Sequence, residues 1–339
     1  MKSWQTSCIP SNKKYVQICT ALALLVLAVS LMNLCLGAEK VPPAEVLRAL
    51  VGQGSGTTAF RIVRYVRLPR LCACLLAGGA LAASGAIIQG VLSNALAAPS
   101  TIGVNAGAGL MVALCCAVAP TALNLVPLAA MAGAFLGVMT VLLIARRTGA
   151  SKITLVLAGV AVSSIFSAGI DAVITFVPEA LNGYSDFRIG GFSGVSIARL
   201  LPALWPALLS FVLSLSLHNE MDVLLLGTEQ AQSLGLPAEK LRIVLLGLAA
   251  VLAGAAVSVG GLVGFVGLIV PHIMRSLVGE ESGPLLVSSV LGGAALLGGC
   301  DLLGRLLFAP YEIPVGIVMS LAGGPFFIWL LQRRGRLRD

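Results

Sequence analysis

The sequence predicts an all-α protein that crosses a membrane about ten times. Of its 339 residues, 58% are hydrophobic and only 11% are charged, whereas a soluble domain carries charge on roughly a quarter of its residues. Too few polar groups remain to cover a water-exposed surface. Apolar runs of about 20 residues recur from end to end, and a helix needs that length to cross a hydrocarbon core of ~30 Å. We therefore expect one transmembrane domain over residues 1–339.

The apolar runs divide into ten predicted spans. In chain order they cover 16–36, 69–89, 101–119, 123–145, 153–176, 197–217, 243–261, 263–279, 285–307 and 314–332. The first run is longer than the 7–15-residue core of a signal peptide, so we expect it to be retained. The seventh and eighth spans are divided only by "VGGLVG" (259–264), where glycine lets the backbone turn sharply.

Basic residues at both chain ends predict that both termini lie in the cytoplasm. They are Lys2, Lys13 and Lys14 before the first span and Arg333, Arg334, Arg336 and Arg338 after the last. Cytoplasmic segments of membrane proteins are enriched in Lys and Arg. Two termini on one side require an even number of spans, which ten satisfies. A short tail, 1–14, and a long connection at about 220–241 are then cytoplasmic.

The stretch "RIVRYVRLPR" (61–70) places four arginines ahead of the second span, on the external side in this topology. Because a proline opens that span, Arg67 and Arg70 are expected at the positive end of a helix dipole. They either snorkel to lipid headgroups or form a basic patch for an acidic external partner. Arg305 would join the patch, although Asp301, one turn before it, could simply pair with it.

Composition and motifs argue against several other classes of protein. The net charge of +8 could suggest nucleic acid, but the basic residues sit at the termini and between spans, as membrane topology requires. The eight cysteines lack metal-binding spacing and are expected to pack as small apolar residues. "GQGSGTT" (52–58) lacks the lysine of a phosphate loop. We expect an external turn there, and no cofactor or metal bound by this chain.

Four blocks of sequence resemble a known family. They are "RLPR" (67–70), "GAIIQGVLSNALAAPSTIGVNAGAG" (85–109), "GGLVGFVGLIVPHIMRSLVG" (260–279) and "CDLLGRLLFAPYEIPVGIVMSLAGGPFFIWLL" (300–331). Together they resemble the FecCD-type permeases, the membrane subunits of ABC importers for ferric siderophores, haem and cobalamin. The resemblance runs from about residue 60 to 332 and implies the type II importer permease fold.

The chain departs from the family pattern in three loops. Asn94-Ala95-Leu96-Ala97 replaces the usual Asn-Pro-Leu-Ala, Phe187 stands where tryptophan is common, and Glu281-Ser282-Gly283 replaces a frequent Asp-His-Arg. These differences bear on loop detail and substrate more than on membership of the family.

The resemblance implies an assembly around this chain. It implies a second permease copy or paralogue, two ATP-binding cassette subunits that use ATP and Mg, and an external binding lipoprotein or periplasmic protein. The setting is membrane lipid in a bacterial or archaeal cell or inner membrane, with no nucleic acid partner. Arg67, Arg70 and Arg305 would dock the binding protein, and Asn94 and Leu96 would form a cytoplasmic gate. The pathway would run beside spans five and ten.

The resemblance also places a helical coupling loop between spans six and seven. Its expected ATPase-coupling residues are Thr228, Glu229, Gln230, Ser233, Leu234, Gly235 and Leu236. The residues themselves predict that Thr228 caps a short helix through Gln230–Leu234, which Gly235 ends before Pro237 starts another. A paired-helix element of this kind suits transmission of force, and an inert interfacial turn is the alternative.

Few polar groups fall inside the spans. Three hydroxyls share one face of span five: Ser163, Ser164 and Ser167. They either line a weakly polar conduit or hydrogen-bond between helices. Asp171 is expected to bind a neighbouring helix or pore water rather than substrate. His272, which follows Pro271, is expected to bind freed backbone carbonyls rather than a metal, and His218 is expected to lie among headgroups.

The sequence therefore predicts an importer permease without catalytic residues, with an iron chelate such as a ferric siderophore as the expected substrate and haem or cobalamin as alternatives. An ion-coupled secondary transporter is the first rival, but such proteins need buried carboxylates along the pathway, and Asp171 is the only central candidate. A membrane enzyme would need clustered catalytic side chains, and two isolated histidines do not provide them.

Overall fold

A computed structural model describes residues 12–147, 152–307 and 309–335. The regular structure within these ranges is entirely helical, so the all-α class is confirmed. The helices are α1 (Asn12–Cys35), α2 (Pro43–Leu50), α3 (Thr58–Arg61), α4 (Leu68–Leu92), α5 (Val104–Val118), α6 (Val126–Arg147), α7 (Lys152–Phe176), α8 (Ala180–Ile189), α9 (Ile197–Ser216), α10 (His218–Leu225), α11 (Thr228–Ser233), α12 (Ala238–Gly260), α13 (Val266–Val278), α14 (Ser282–Leu306) and α15 (Val315–Gly335). Lys2, Cys8, Arg336 and Arg338 lie outside the described residues.

Each predicted span overlaps one of ten apolar helices. Seven described helical segments are long and apolar enough to cross a membrane. Three shorter apolar helices, Val104–Val118, Val266–Val278 and Val315–Leu330, complete the set. The predicted break between the seventh and eighth spans covers residues 261–265, where Gly261 and Phe265 both adopt φ +68°. The remaining short helices join the spans at the two ends of the bundle.

The predicted start of the second span is wrong. Helix α3 runs through a π-helical turn, Ile62–Arg67, directly into α4, so the proline at position 69 lies inside a continuous helical segment. Arg67 and Arg70 therefore do not occupy the positive end of a helix dipole. A helix dipole acts only within the first turn, and this helix begins at Thr58.

The small residues of the spans let helices touch backbone to backbone. A Cβ placed on Gly85 would lie 1.9 Å from the carbonyl oxygen of Gly267 in α13, and one on Gly78 would lie 2.3 Å from that of Gly293 in α14. No side chain fits at such distances. In lipid, close packing of this kind replaces the hydrophobic drive for helix association. It makes α4 the central, almost fully buried helix of the bundle.

Loops predicted for one side of the membrane lie at one end of the bundle. We call the end that carries Arg67, Arg70 and Arg305 the arginine end. We call the opposite end the coupling end, where α10 contacts the last turn of α4 and the first turn of α14, and α11 contacts α10 and α12. There the backbone N–H of Ser282 donates to Asp222 Oδ1 at 2.8 Å. The bundle thus has two chemically different ends.

Candidate transport site and its two ends

A groove along α7 collects the hydroxyls expected to line a conduit. It has a volume of about 600 Å³. Its polar lining residues are Ser100, Thr101, Ser163, Ser164, Ser167 and Asp171. The groove forms because α7 approaches the 3₁₀ turn Pro99–Ile102 so closely that a Cβ on Gly159 would lie 2.1 Å from the Thr101 carbonyl oxygen. Ser164 donates to its own helix, at the Val160 carbonyl, at 3.0 Å. The Ser164 hydroxyl therefore offers the groove only its oxygen lone pairs. The role of these residues in lining the pathway stays a prediction.

Tyr184 of α8 lies between charges from two helices. Burial raises the pKa of the Tyr184 phenol, Arg188 opposes this rise, and Asp171 adds to it. The carboxylate at the outer end of the α7 groove and the guanidinium on α8 therefore act on the same buried side chain. Helix α8, to which the sequence analysis assigned no role, packs against α5 and α7.

The three predicted docking arginines meet at the arginine end, but they are buried. Arg67, Arg70 and Arg305 are 6%, 8% and 6% exposed. Arg70 grips Asp301 with two nitrogens, Nε at 3.0 Å from Oδ2 and Nη2 at 2.9 Å from Oδ1. Its Nη1 reaches Glu312 Oε2 at 2.7 Å. The expected pairing of Asp301 with Arg305 is present at 3.3 Å. The docking role itself stays a prediction.

The other contacts of these arginines close the end of α1. Arg67 Nη1 donates to the Leu34 carbonyl at 2.7 Å, and its Nη2 donates to the Glu39 carbonyl. Arg305 donates to the Asn33 side chain. The last carbonyls of a helix have no partner within it, so Arg67 satisfies a group that lipid could not. These arginines therefore hold α1 to the bundle, a function that the sequence analysis missed.

The coupling segment folds as two short helices with an exposed apolar tip. The predicted cap is wrong: Thr228 is the first residue of α11, its side chain makes no cap, and its hydroxyl accepts from Arg242 Nη2 at 3.0 Å. The predicted stop is present. Gly235 has φ +82°, its N–H donates to Gln232, and Leu236 N–H donates to the Ala231 carbonyl, which together form a Schellman motif.

The α10–α11 segment carries large apolar side chains that no other described residue covers. Leu226 and Leu234 are 64% and 66% exposed, whereas Ala231 on the other face of α11 is fully buried. The predicted coupling residues Glu229, Gln230 and Ser233 on this turn are also exposed. One face of the turn thus packs against the bundle. The other face presents Leu226 and Leu234, which we call the apolar knob.

One of the two predicted gate residues, Asn94, borders a cavity at the coupling end. Asn94 accepts a hydrogen bond from the Leu96 N–H through Oδ1 at 3.0 Å, which fixes the turn after α4. Asn94 lines a cavity of about 510 Å³ between α4, α10 and α13. The gating role stays a prediction. The turn nevertheless lies beside the coupling segment, because Met221 of α10 lines the same cavity.

The side chain of Gln89 binds the backbone carbonyl that the proline of α13 leaves without a helical partner. Pro271 has no N–H, so the carbonyl of Gly267, four residues earlier, lacks its helical partner. Gln89 Nε2 donates to that carbonyl at 3.1 Å, and Gln89 Oε1 accepts from Arg275 Nη1 at 3.1 Å. His272 contacts the ring of Phe326 edge-on, and its expected hydrogen bond to freed backbone carbonyls stays a prediction. One glutamine therefore ties α4 to two positions of α13 that lie about two turns apart.

His218 lies at the coupling end, as its position after span six predicts. Its Nδ1 is 2.8 Å from the Leu215 carbonyl oxygen, and its ring packs beside Gly283 at the start of α14. Among the described residues, no group of three or more His, Cys, Asp or Glu side chains could hold a metal ion.

The sequence model of the FecCD transport family matches residues 24–333. The chain belongs to the FecCD transport family. Its relatives include the Fe(3+)-citrate import system permease protein YfmE of Bacillus subtilis, 36% identical over 93% of this chain and 94% of the relative. The hemin transport system permease protein HmuU of Yersinia pestis is also 36% identical, over 92% of this chain and 96% of its own.

The fold of this FecCD permease is also found in a solved structure. An inward-facing ABC transporter assigned to the metal-chelate type superposes with a TM-score of 0.82 at 29% identity. The match covers 94% of this chain and 99% of the other. The arrangement described above is therefore that of a transport permease subunit, and the ABC permease fold expected from the sequence is confirmed.

Proposed function

We propose that this FecCD permease imports an iron chelate, driven by ATP hydrolysis in separate cassette subunits that bind ATP and Mg. The observation that carries the proposal is the coupling segment: a buried anchor and an uncovered apolar knob, Leu226 and Leu234, at one end of the bundle. Exposed apolar side chains on a rigid polar turn are typical of a surface that another protein covers. A ferric siderophore is the first candidate substrate, with haem and cobalamin as alternatives.

The coupling end then faces the cytoplasm. The proposal rests on the excess of Lys and Arg at the chain termini and in the loops that gather at this end. Both termini are cytoplasmic in this orientation, and the arginine end faces the external binding protein. The permease is a multi-pass protein of a bacterial or archaeal cell or inner membrane.

A second permease, identical or paralogous, completes the pathway. The outward faces of α7 and α15 carry large apolar residues such as Leu157 and Leu321, 63% and 71% exposed. The hydroxyl-lined groove of α7 opens between such residues. A partner copy packed on these faces would enclose the groove, with Ser163, Ser164 and Ser167 toward the substrate.

Docking at the arginine end takes place over the ion pair between Arg70 and Glu312, which is partly exposed. Glu312, the partner of Arg70 Nη1, has a side chain that is 41% exposed, whereas that of Asp301 is 2% exposed. An acidic group of the binding protein can approach Arg70 only at the Glu312 side. We propose that Arg67, Arg70 and Arg305 form the buried base of the docking surface in this way.

The experiment that tests the proposal is ATP-driven uptake in proteoliposomes with a charged group placed on the knob. The permease is reconstituted with its cassette ATPase and binding protein, and uptake of a radioactive ferric siderophore is measured. Leu234→Glu puts an unpaired charge into an apolar contact, which such contacts do not tolerate. Uptake should fall at least tenfold, while Leu234→Met, which keeps a large apolar side chain at the same position, should leave it unchanged. Equal uptake by the two variants would contradict the proposal.

A further inference from the structure

A second groove, between α8 and α15, holds one cation that the mechanism above does not use. Its volume is about 500 Å³, and its lining residues are Leu181, Ser185, Arg188, Ile189, Gly316, Ile317, Ser320 and Leu321. Arg188 is exposed and is the only charged side chain among them. Among the described residues it forms no ion pair. An arginine without a carboxylate partner therefore faces an otherwise apolar groove.

The walls of this groove are fixed by backbone contact. A Cβ on Gly316 would lie 2.0 Å from the Ile189 carbonyl oxygen, and the Gly316 N–H donates to Gly190 at 3.1 Å. The end of α8 and the start of α15 are thus locked together. The backbone of Arg188 is therefore held at a set position relative to α15, and its side chain lines the groove.

The other polar groups of the groove are already committed as donors. Ser185 donates to the Asn182 carbonyl at 2.9 Å, and Ser320 donates to the Gly316 carbonyl at 2.8 Å. Arg188 is the only charged donor that remains, with five N–H groups in a planar fork that matches a carboxylate. The neighbouring carboxylates face elsewhere: Asp186 lines the separate cleft beside Glu312, and Asp171 lines the groove of α7.

We propose that the α8–α15 groove receives a carboxylate of an anionic ferric chelate, with Arg188 as the residue that favours carboxylate-bearing over neutral chelates. The inference rests on the proposed function, since it names the class of chelate that the permease passes. Apolar walls suit the hydrocarbon parts of such a ligand, and the guanidinium suits its charged edge. Arg188 in this account binds substrate and does not stabilise the fold.

The alternative role of Arg188 is local. A cation in the last turn of a helix is favoured by the helix dipole, and α8 ends at Ile189. That role predicts a change in thermal stability and no dependence on the charge of a ligand. A test must therefore report on ligand charge as well as on folding.

The test uses cysteine protection in the full-length permease in nanodiscs, with ferric citrate as the probe. Ser320→Cys places a thiol in the groove, and an anionic methanethiosulfonate reagent labels it above the background of the unsubstituted protein. Ferric citrate should slow the labelling. Because a charge-assisted hydrogen bond contributes roughly a tenfold effect or more, Arg188→Gln should raise the half-protecting concentration about tenfold. Arg199→Gln, at an arginine on α9 away from the groove, is the matched control.

Two further measurements decide between the roles. Arg188→Lys keeps the charge without the fork and should lose only part of the protection, which also covers the case in which Arg188→Gln fails to fold. A neutral ferric hydroxamate should give the same protection with or without Arg188→Gln. Absent protection by ferric citrate, or equal protection in Arg188→Gln and Arg199→Gln, would overturn the inference. Failure of the proposed function is a different result, loss of ATP dependence in uptake, and leaves the protection data unaffected.

Discussion

Removing the charge of Asp301 should unfold this permease more readily than any other single carboxylate change at the arginine end. Asp301 is 2% exposed and receives three guanidinium contacts, two from Arg70 at 2.9 and 3.0 Å and one from Arg305 at 3.3 Å. Asp301→Asn keeps the shape but leaves two buried arginines without their shared anion. Glu312 cannot replace it, because Glu312 already binds the other side of Arg70 and is half exposed.

The magnitude follows from burial. Breaking a buried ion pair from one side costs about 3–5 kcal/mol. At about 2 °C per kcal/mol for a chain of this size, the apparent melting temperature should fall by roughly 6–10 °C. Glu312→Gln is the matched control, since a partly exposed pair contributes about 0–1 kcal/mol and its loss should shift the transition by about 2 °C or less.

The assay is thermal unfolding of purified protein in nanodiscs, in which labelling of the buried cysteines by a thiol reagent reports the unfolded fraction. Cys74 and Cys300 are buried and react only when the bundle opens. Equal shifts for Asp301→Asn and Glu312→Gln would refute the argument that burial, rather than the number of ion pairs, determines the stability of this end.

Three further outcomes are expected elsewhere in the bundle. Gly85→Ala should prevent the native packing of α4, because its Cβ would clash with the Gly267 carbonyl, whereas Gly247→Ala, with open space around it, should be neutral or stabilising; yield of folded protein after detergent extraction measures both. Gln89→Leu should lower the free energy of unfolding by about 1–3 kcal/mol, because it leaves that same carbonyl unpaired in an apolar surrounding. The melting temperature should fall, and a wild-type value would contradict the prediction. Gly235→Ala should strain the αL residue that ends the coupling turn by about 1 kcal/mol, and proteolysis between α11 and α12 should accelerate while global melting stays the same.

The number and class of the helices were predictable because membrane spans are set by length and hydrophobicity alone. Each predicted span has its helix, and the weakly marked break predicted at 259–264 is present at residues 261–265, where Gly261 adopts a φ of +68°. The stop of the coupling turn was predictable for a similar reason, since Gly235 takes a φ of +82° that other residues avoid.

Apart from the Asp301–Arg305 pair, one turn apart on α14, the partners of these buried polar groups were not predictable, since they come from helices far apart in sequence. Gln89 and Gly267 are 178 residues apart, and Arg70 and Asp301 are 231 apart. The preference of proline for the first turn of a helix placed the helix start near Arg67 and Arg70. It could not show that α3 continues into α4. Pro271 did signal a freed carbonyl, but only the packing of α4 shows that a glutamine fills it.

The most direct test of the account is the energy source of transport. The wild-type permease is reconstituted in sealed proteoliposomes, with and without its cassette ATPase, and uptake of a radioactive ferric siderophore is followed under three conditions: internal ATP, a proton gradient and a sodium gradient. The account predicts uptake only with the ATPase and ATP together. Uptake driven by either ion gradient in vesicles that lack the ATPase would contradict it.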